Sequence, residues 1–444
     1  MALVVADEIV VKFEVFEAQK AAKTLTPWCI KTTVKQQQVQ VQDMPTTDKT
    51  ESDKHFLTNA KRLERETIEM RRHLHEHPEL SFHELETAKL MNDRLEALGY
   101  ETKKGVGKTG VIGDLGKQGP LIAIRADMDG LPIDEDNQAS YVSKNQGVMH
   151  ACGHDGHMAC GLTAAKLLAE TEIPGRIRMV LQPAEEFGDE EGKSGACRML
   201  EDDALDGVSA IIGLHMDASL PAGKVGIIPG PIMAAADSFT IHIIGKGGHG
   251  AYPESTVDAV VLGSQVVQAI QQIISRRISA LDPAIVTIGS FHSSSTRGNI
   301  ISESVKLEGT FRSFSQAVRE QIMQELDKAC QLARILGGDY KIDYELGYPT
   351  TVNHPEVTEV MRQAAIDLIG KDNVIAIQPK TWSEDFSMFA EKVPGAFMFL
   401  GAEIEGSTRS HHSPTFDLDE SGLFIGSAVL AETARRLAQY YKGK

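Results

Sequence analysis

The spacing of apolar residues divides most of this chain into helices and strands. Between residues 55 and 99, apolar positions recur at a helical period in two segments, which predicts a first helix that stops before Pro78 and a second that ends at Gly99. Beyond Gly99, short apolar runs alternate with amphipathic segments, and this alternation is typical of an α/β protein with a parallel sheet. No apolar run approaches the roughly 18 residues that a membrane helix needs, so no membrane span is predicted.

Three of the apolar runs are followed by side chains that can bind metal ions or move protons. Those side chains are, in chain order, Asp127, Glu185, Glu186 and His215. Each run is short and rich in β-branched residues, which predicts a buried parallel strand that ends there. Because ligands of open α/β sheets bind outside the carboxyl ends of the strands, we expect these side chains to converge on one crevice. A fourth run leads into a loop that holds His411 and His412.

A different pattern occupies residues 237–349. The apolar segments there follow the order strand, helix, strand, strand, helix, strand, which predicts a ferredoxin-like α+β unit inserted into the main domain. The residues before the main domain end in a polar stretch that is typical of a linker. The predicted divisions are an N-terminal extension and linker at 1–53, the first part of the main domain at 54–236, the inserted domain at 237–349 and the second part of the main domain at 350–444.

Net charge, cysteine content and the start of the chain indicate which partners and which cellular compartment to expect. The formal charge of −17 would repel phosphate backbones and no basic cluster reverses it, so nucleic acid is not an expected partner. Five scattered cysteines are too few for a disulfide framework in a chain of 444 residues. The start of the chain carries early acids and no basic segment ahead of a long apolar stretch, so no secretory signal is predicted and a cytoplasmic location is expected.

The segment MHACGHDGHM concentrates candidate chemistry in residues 149–158. A thiolate from Cys152 and an imidazole from His154 could serve one metal site, since Zn²⁺, Mn²⁺ and Co²⁺ accept such ligands. The alternatives are a buried core cysteine with helix-capping histidines, a redox thiol, and a Cys152 nucleophile with His154 as its base. Taken alone, the segment favours neither the metal site nor the structural interpretation.

Two consecutive carboxylates, Glu185 and Glu186, bear on the choice between the metal site and the structural interpretation. At a strand end neighbouring side chains point to different sides, so one can bind a metal ion while the other takes a proton from water. A solvated acidic loop is the alternative, because the acidic run continues beyond them. His215 at another predicted strand end makes the combination favour a hydrolytic metal centre. The sequence has neither a G-x-S-x-G elbow nor a P-loop, so serine hydrolases and P-loop enzymes are not indicated.

Eight segments resemble, in order along the chain, the aminoacylase and carboxypeptidase-like bimetallic metallohydrolases. The segments are RADMDGLPI, MHACGHDGH, QPAEE, GLH, GKGGHGAYPE, GTFRSF, SEDFS and HHSPTFDLDE. The resemblance extends from about residue 57 to the C-terminus. Within that family the nearest branch is that of hippurate hydrolases, N-acyl-amino-acid amidohydrolases and plant auxin-conjugate (IAA-amino acid) hydrolases.

The resemblance implies a zinc-exopeptidase-like catalytic domain interrupted by a ferredoxin-like lid and dimerisation domain. It also implies two divalent metal ions per subunit, Zn²⁺ or Mn²⁺ with Co²⁺ as a further candidate. The ligands that it implies are Cys152, His154, Glu186, His215 and His412. His412 is preferred to His411 because the family's histidine stands two residues before a proline, here Pro414.

The remaining site residues of the catalytic domain also follow from the resemblance. Glu185 matches the general base, which takes a proton from water and later gives it to the leaving amine. Arg125 stands where aminopeptidase relatives have the histidine of an H-x-D metal motif. We therefore expect Asp127 to orient a ligand rather than to bind metal.

The resemblance assigns roles to three residues of the inserted domain. His249 matches a residue that stabilises the oxyanion and that reaches the partner's active site in the family's dimers. Asn299 and Arg312 match residues that bind the substrate's carboxylate, for which a guanidinium fork is suited. Without the resemblance, the sequence favours an ordinary loop histidine among glycines for His249, and Arg312 is an ordinary arginine of a surface strand.

The expected activity is hydrolysis of N-acyl-L-amino acids to a carboxylic acid and a free amino acid, by a homodimer formed through the lid domain. The nearest alternative is a dipeptidase or carboxypeptidase with the same bimetal site, because the sequence does not reveal the pocket on the acyl side. A catalytically silent metal-binding scaffold is the alternative from another class. It is disfavoured because the matched base and every matched ligand are present.

Overall fold

The structure, a computed structural model, describes residues 55–407 and 409–444, so the predicted extension at 1–53 lies outside the described residues. In the described ranges the α-helices are α1 (His55–Glu76), α2 (Leu85–Ala97), α3 (His154–Ala169), α4 (Gly195–Glu201), α5 (Ala259–Gln272), α6 (Gln316–Ile335), α7 (Pro355–Ile369), α8 (Phe386–Ala390) and α9 (Leu423–Lys442). The strands are β1 (Glu101–Val106), β2 (Gly110–Leu115), β3 (Leu121–Asp127), β4 (Arg176–Gln182), β5 (Val208–Pro221), β6 (Val225–Gly226), β7 (Gly230–Met233), β8 (Ala235–Ile244), β9 (Gly248–His249), β10 (Ala284–Ser293), β11 (Ile300–Ile301), β12 (Ser304–Ser313), β13 (Asp339–Leu346), β14 (Thr351–Asn353), β15 (Val374–Ile375) and β16 (Gly395–Glu403).

The two N-terminal helices end where the sequence predicts. α1 stops at Glu76, two residues before Pro78, and α2 stops at Ala97, two residues before Gly99. The proline ring disfavours the helical conformation in the residue before it, and Gly99 adopts a φ of +87° that a residue without Cβ accepts readily. Throughout the described segments no helix combines the length and the apolar character needed to cross a bilayer.

An eight-stranded sheet forms the main domain, with strand order β1-β2-β4-β3-β5-β16-β6-β15. β4, β3, β5 and β16 are parallel, as predicted for the buried apolar runs. Alternate side chains of β3 enter two cores, since Ile122 and Ile124 belong to one and Leu121 and Ala123 to the other. The first core also contains residues of α1, α3 and α9, and the second contains residues of α4 and α8, so both sides of the central strands are covered.

The predicted end of β5 is wrong by several residues. His215 lies inside β5 rather than after it, because the strand continues to Pro221. β16 runs alongside and pairs Phe399 with His215 and Gly401 with Asp217, so the ladder extends past the apolar run. Hydrogen bonding to a neighbouring strand can prolong a strand beyond its hydrophobic pattern, and the sequence of one strand does not reveal it.

A four-stranded antiparallel sheet in the order β10-β12-β8-β13 carries α5 and α6. Its core draws on residues from Phe239 to Tyr340 only, which separates it from the two cores of the main sheet. The chain order of its elements is the predicted β-α-β-β-α-β. The predicted domain boundaries at residues 237 and 349 stay predictions. So does the prediction that this segment is a separate domain.

Candidate active site

The five predicted ligands come from four places in the main domain. Cys152 lies just before α3 and His154 is its first residue, Glu186 follows β4, His215 lies in β5 and His412 lies in the loop after β16. The Sγ atom of Cys152 lies 3.5 Å from His215 Nε2 and 3.4 Å from His412 Nε2. The Oε1 atom of Glu186 lies 3.2 Å from His412 Nε2 and 3.9 Å from His154 Nε2. The fold therefore gathers these five side chains, which we call the ligand cluster.

The ligand cluster contains two overlapping triplets of donor atoms. Donors from Cys152, His154 and His215 lie within 4.8 Å of one another, and so do donors from Cys152, Glu186 and His412. Metal–ligand bonds of roughly 2.0–2.3 Å bring the ligands of one ion to separations of this order. Both triplets have the composition and the spacing of a metal site, and Cys152 belongs to each.

Two of the histidines are held so that Nε2 is the ring atom available to a metal ion. The Nδ1 atom of His154 lies 2.9 Å from the carbonyl oxygen of Asp129, and that of His215 lies 2.7 Å from the carbonyl oxygen of Met216. A carbonyl only accepts, so in each ring Nδ1 carries the hydrogen and Nε2 is left as a ligand, the usual arrangement of metal-binding histidines. Among the described residues neither His154 Nε2 nor Glu186 Oε1 has a hydrogen-bond partner, although both atoms are buried. A bound cation would satisfy both.

The charges around the ligand cluster also favour a cation. Burial opposes the charged imidazole of His154, but nearby carboxylates outweigh that effect and raise its pKa to about 10. These carboxylates are Asp127, Asp129 and Glu186. Burial, followed by Glu186 and its neighbours, raises the pKa of the Cys152 thiol well above its usual value. A thiolate at Cys152 is therefore stable only beside a positive charge such as a metal ion. This favours Cys152 as a metal ligand over a free nucleophile or a redox thiol.

Metal binding should therefore displace protons from the protein. At pH 8 both the His154 imidazole, with a raised pKa of about 10, and the Cys152 thiol hold protons when no cation is present. We expect Zn²⁺ added to metal-free protein at pH 8 to release at least about one proton per chain, and less as the pH approaches 10. Titration calorimetry in two buffers of different ionisation enthalpy measures the release. Equal binding enthalpies in the two buffers would contradict the assignment.

The carboxylate of Asp127 contacts two histidines, His154 of the ligand cluster and His157. Its Oδ1 atom lies 2.6 Å from His157 Nδ1, and His157 Nε2 accepts the N–H of Met216 at 2.8 Å, so Nδ1 is the donor to Asp127. Its Oδ2 atom lies 3.3 Å from His154 Nε2 and 2.9 Å from Arg125 Nη1. The carboxylate thus contacts the ring of one predicted ligand and fixes a second histidine against β5. Its predicted role as an orienting residue stays a prediction.

Arg125 links the site to Glu384 and Asp385 of the SEDFS segment, for which the sequence predicted no role. This buried guanidinium lies 2.7 Å from Glu384 Oε1 and 3.1 Å from Asp385 Oδ1, and its Nε donates to Gln182 at 2.7 Å. Burial raises the pKa of Glu384 to about 8, against the opposing effect of Arg125. Arg125 and Glu384 are 259 positions apart, so only the fold brings them together.

Glu185, the predicted base, occupies a constrained buried position. The preceding residue, Ala184, has a φ of +47°, which is unusual for a residue with a Cβ, and its N–H donates to Glu84 Oε1 at 2.8 Å. The hydroxyl of Tyr348 donates to the carbonyl oxygen of Glu185 at 2.7 Å. Burial, with Glu384 as the next largest cause, raises the pKa of the Glu185 carboxyl well above its usual value. The hydrogen bonds from Ala184 to Glu84 and from Tyr348 to Glu185 therefore fix the backbone on both sides of this side chain.

The geometry at residues 411 and 412 agrees with the choice of His412 as the ligand. His412 adopts a φ of +60°, and its N–H donates to the carbonyl of Ala151 at 2.8 Å, beside the cysteine that its ring faces. His411 packs beside the ring of His215, with 5.4 Å between the two ring centroids, but its Nε2 accepts the N–H of Ala218 at 3.3 Å and is therefore occupied.

The three predicted residues of the inserted domain lie elsewhere. His249, on β9, and Asn299 are both exposed, and the Asn299 carbonyl accepts the N–H of Gly250 at 2.8 Å. Arg312, on β12, is half-buried and donates to groups of its own strand. In the part of the chain that the structure describes, no hydrogen bond or ion pair joins these three residues to the ligand cluster. Their roles stay predictions.

Comparison with known proteins identifies the family of this chain. The model of the peptidase family M20/M25/M40 matches residues 123–436. The N-acetyl-L-cysteine deacetylase of Bacillus subtilis is 40% identical over 384 residues, which are 85% of this chain and 90% of that protein. The thermostable carboxypeptidase 1 of Saccharolobus solfataricus is 39% identical over 382 residues, 84% of this chain and 95% of that protein.

A plant relative and a solved structure extend the comparison. The IAA-amino acid hydrolase ILR1-like 2 of Arabidopsis thaliana is 38% identical over 384 residues, 85% of each chain. The crystal structure of a dinuclear metal-binding M20 peptidase from Bacillus subtilis superposes with a TM-score of 0.75 at 34% identity, over 85% of this chain and 99% of that one. The chain therefore belongs to the peptidase family M20/M25/M40.

Proposed function

We propose that this protein hydrolyses the amide bond of N-acyl-L-amino acids and releases a carboxylic acid and a free amino acid. The observation that carries the proposal is the placement of a buried carboxylate, Glu185, next to the ligand carboxylate Glu186. Donor atoms of these two residues and of His154 lie within 4.8 Å of one another. The names of two relatives, a deacetylase of N-acetyl-L-cysteine and a hydrolase of IAA-amino acids, support this substrate class.

The ligand cluster would hold two divalent metal ions per subunit. The two triplets that share Cys152 support two ions, as does the dinuclear M20 relative. Zn²⁺ or Mn²⁺ is proposed, with Co²⁺ as a further candidate, because the donors combine a thiolate, imidazoles and a carboxylate. When bound, such ions supply Lewis acidity that activates water and polarises the amide carbonyl.

The protein's own residues would move the proton and hold the geometry. Glu185 takes a proton from water and returns it to the leaving amine, and its buried, raised pKa lets the carboxyl hold the proton between the two steps. The carbonyls of Asp129 and Met216 hold the rings of His154 and His215 in the ligand tautomer.

The inserted domain would supply the contacts to the substrate. Arg312 and Asn299 would bind the free carboxylate, and His249 would stabilise the oxyanion from its own subunit or from a partner subunit. Because these residues have no contact with the ligand cluster here, the proposal includes a movement of the 237–349 unit as a lid. A homodimer through this unit is also proposed, with support from Ile285 and Phe291 on the edge strand β10, which are 42% and 39% exposed.

A panel of substrates tests the proposed activity. With Mn²⁺, Co²⁺ or Zn²⁺ supplied, we expect higher kcat/KM for N-acetyl, N-benzoyl or indole-acyl amino acids than for dipeptides. Replacing the substrate's carboxylate by an amide should lower kcat/KM by about 10-fold or more, because a hydrogen bond to a charged group contributes roughly 1.5–3 kcal/mol. The amide analogues thereby serve as the matched control for the proposed carboxylate contacts.

Two outcomes of the panel would favour other functions. Faster cleavage of dipeptides would favour a dipeptidase or carboxypeptidase, the function that the name of the Saccharolobus relative supports. No cleavage of any substrate, with metals bound, would favour the metal-binding scaffold.

A further inference from the structure

A second group of metal-binding side chains lies at the carboxyl end of α1. His73, Glu76 and His77 stand at positions i, i+3 and i+4, and one donor atom from each lies within 4.8 Å of the others. Helical spacing of this kind places side chains on one face. His75 is not part of the group, because it is buried and its Nδ1 lies 2.8 Å from Asp155. The group is thus distinct in composition and position from the ligand cluster.

The two exposed imidazoles are arranged as ligands. The Nδ1–H of His77 donates to the carbonyl oxygen of His73 at 2.8 Å, which leaves His77 Nε2 with a free lone pair. The ring of His73 has no hydrogen-bond partner among the described residues, and its centroid lies 4.7 Å from that of His77. Burial, followed by the neighbouring His77, lowers the pKa of His73, so this ring is neutral near pH 7.

The surroundings supply negative charge and space. The two histidines line a groove of about 400 Å³ between α1 and α2, and the charged side chains of Glu86, Lys89 and Asp93 of α2 line the same groove. The Nζ atom of Lys89 lies 4.0 Å from Glu86 Oε2, so the two carboxylates outnumber one ammonium group. The end of a helix also carries a partial negative charge from its free carbonyl groups, which favours cations. The groove therefore has a net negative lining beside the histidine pair and a volume that admits a hydrated ion.

We propose that His73, Glu76 and His77 bind one divalent transition-metal ion of the Zn²⁺, Ni²⁺ and Cu²⁺ group, at a site separate from the catalytic centre. Two imidazoles and one carboxylate are ligands that these ions prefer, and two imidazoles four residues apart on a helix can bind the same ion. By binding all three side chains, the ion stabilises the last turn of α1.

Lys144 competes for the same carboxylate. Its Nζ lies 2.7 Å from Glu76 Oε2, and the lysine side chain is 59% exposed. Exposed ion pairs contribute little to stability, so a divalent ion can replace the ammonium. Replacing the lysine removes a positive charge next to the site, so Lys144→Ala should bind the ion more tightly than the wild type.

Metal content tests the site directly. The full-length protein is dialysed to equilibrium against Zn²⁺, and bound zinc is measured by mass spectrometry for the wild type and for His73→Ala/His77→Ala. The matched control is His55→Ala/His83→Ala, which removes two exposed histidines outside the groove. We expect the groove variant to lose one equivalent of zinc, the control to lose none, and hydrolytic activity to be unchanged in both.

Copper spectroscopy gives a second measurement that does not depend on catalysis. With the catalytic centre first filled by Zn²⁺, Cu²⁺ is added and the nitrogen hyperfine coupling is recorded by electron paramagnetic resonance. The signal should appear in the wild type and in the control and be absent from His73→Ala/His77→Ala. Equal zinc content in all three proteins, or a copper signal that survives the loss of both histidines, would overturn the proposal.

Discussion

Replacing the predicted base by its amide, Glu185→Gln, should abolish hydrolysis while both metal ions stay bound. General acid–base catalysis contributes roughly 10²–10⁴-fold, so kcat should fall by that factor with little change in KM. Glutamine keeps the shape of the side chain and is uncharged, like the protonated carboxyl that burial favours by raising the pKa of Glu185, so the unfolding midpoint should not fall. The measurements are steady-state kinetics, metal content and thermal unfolding on the same preparation.

The matched control is Glu190→Gln, which changes an exposed glutamate of the same acidic run. The control should keep wild-type kinetics. Full activity in Glu185→Gln would remove this residue from the mechanism. A loss of metal in Glu185→Gln would instead make Glu185 a ligand, a result that its proximity to His154 allows for.

Removing the shared thiol, Cys152→Ala, should cost the protein both metal and activity. Cys152 belongs to both donor triplets, so its loss leaves each with two side-chain donors. Loss of a group that only supports a ligand lowers metal affinity by roughly 10–100-fold, so loss of the ligand itself should exceed about 100-fold. Zinc content after equilibrium dialysis and kcat/KM at a fixed metal concentration measure the effect, which excess metal should restore only in part.

A second buried cysteine on the same helix provides the control. Cys160 lies on α3, and its Sγ donates to the carbonyl of Leu423 at 3.2 Å, outside the ligand cluster. Cys160→Ala should lower the free energy of unfolding by about 1 kcal/mol, the contribution of one hydrogen bond, and keep full metal content. If both variants lost metal equally, a general packing defect would explain the result and the ligand assignment of Cys152 would be wrong.

Local patterns in the sequence predict the elements that carry the site. Pro78 and Gly99 mark the ends of α1 and α2, β3 ends at Asp127, and β4 ends at Gln182, three residues before the glutamate pair. These features depend on backbone conformation and on the period of burial, both of which can be inferred from a short segment. The extension of β5 past His215 could not be predicted, because it follows from pairing with β16.

Long-range contacts account for the rest of the site. The buried Arg125 meets Glu384, and Tyr348 meets Glu185 163 positions away, and no local pattern indicates either pairing. The resemblance to known hydrolases placed Arg312 and His249 at the substrate, but it carried no information on where their domain rests relative to the metals. Position relative to a second domain depends on weak contacts and on ligands rather than on local sequence.

The hydroxyl of Tyr348 links the four-stranded sheet to the backbone that follows β4 of the eight-stranded sheet. It stands two residues beyond β13, where the chain returns from the four-stranded sheet, and it bonds to the backbone of the base. A rotation of that sheet would therefore move the backbone of Glu185, the proposed base, as well as Arg312, which is proposed to bind the substrate's carboxylate. Movement of the sheet and proton transfer at Glu185 would then be coupled through one hydrogen bond.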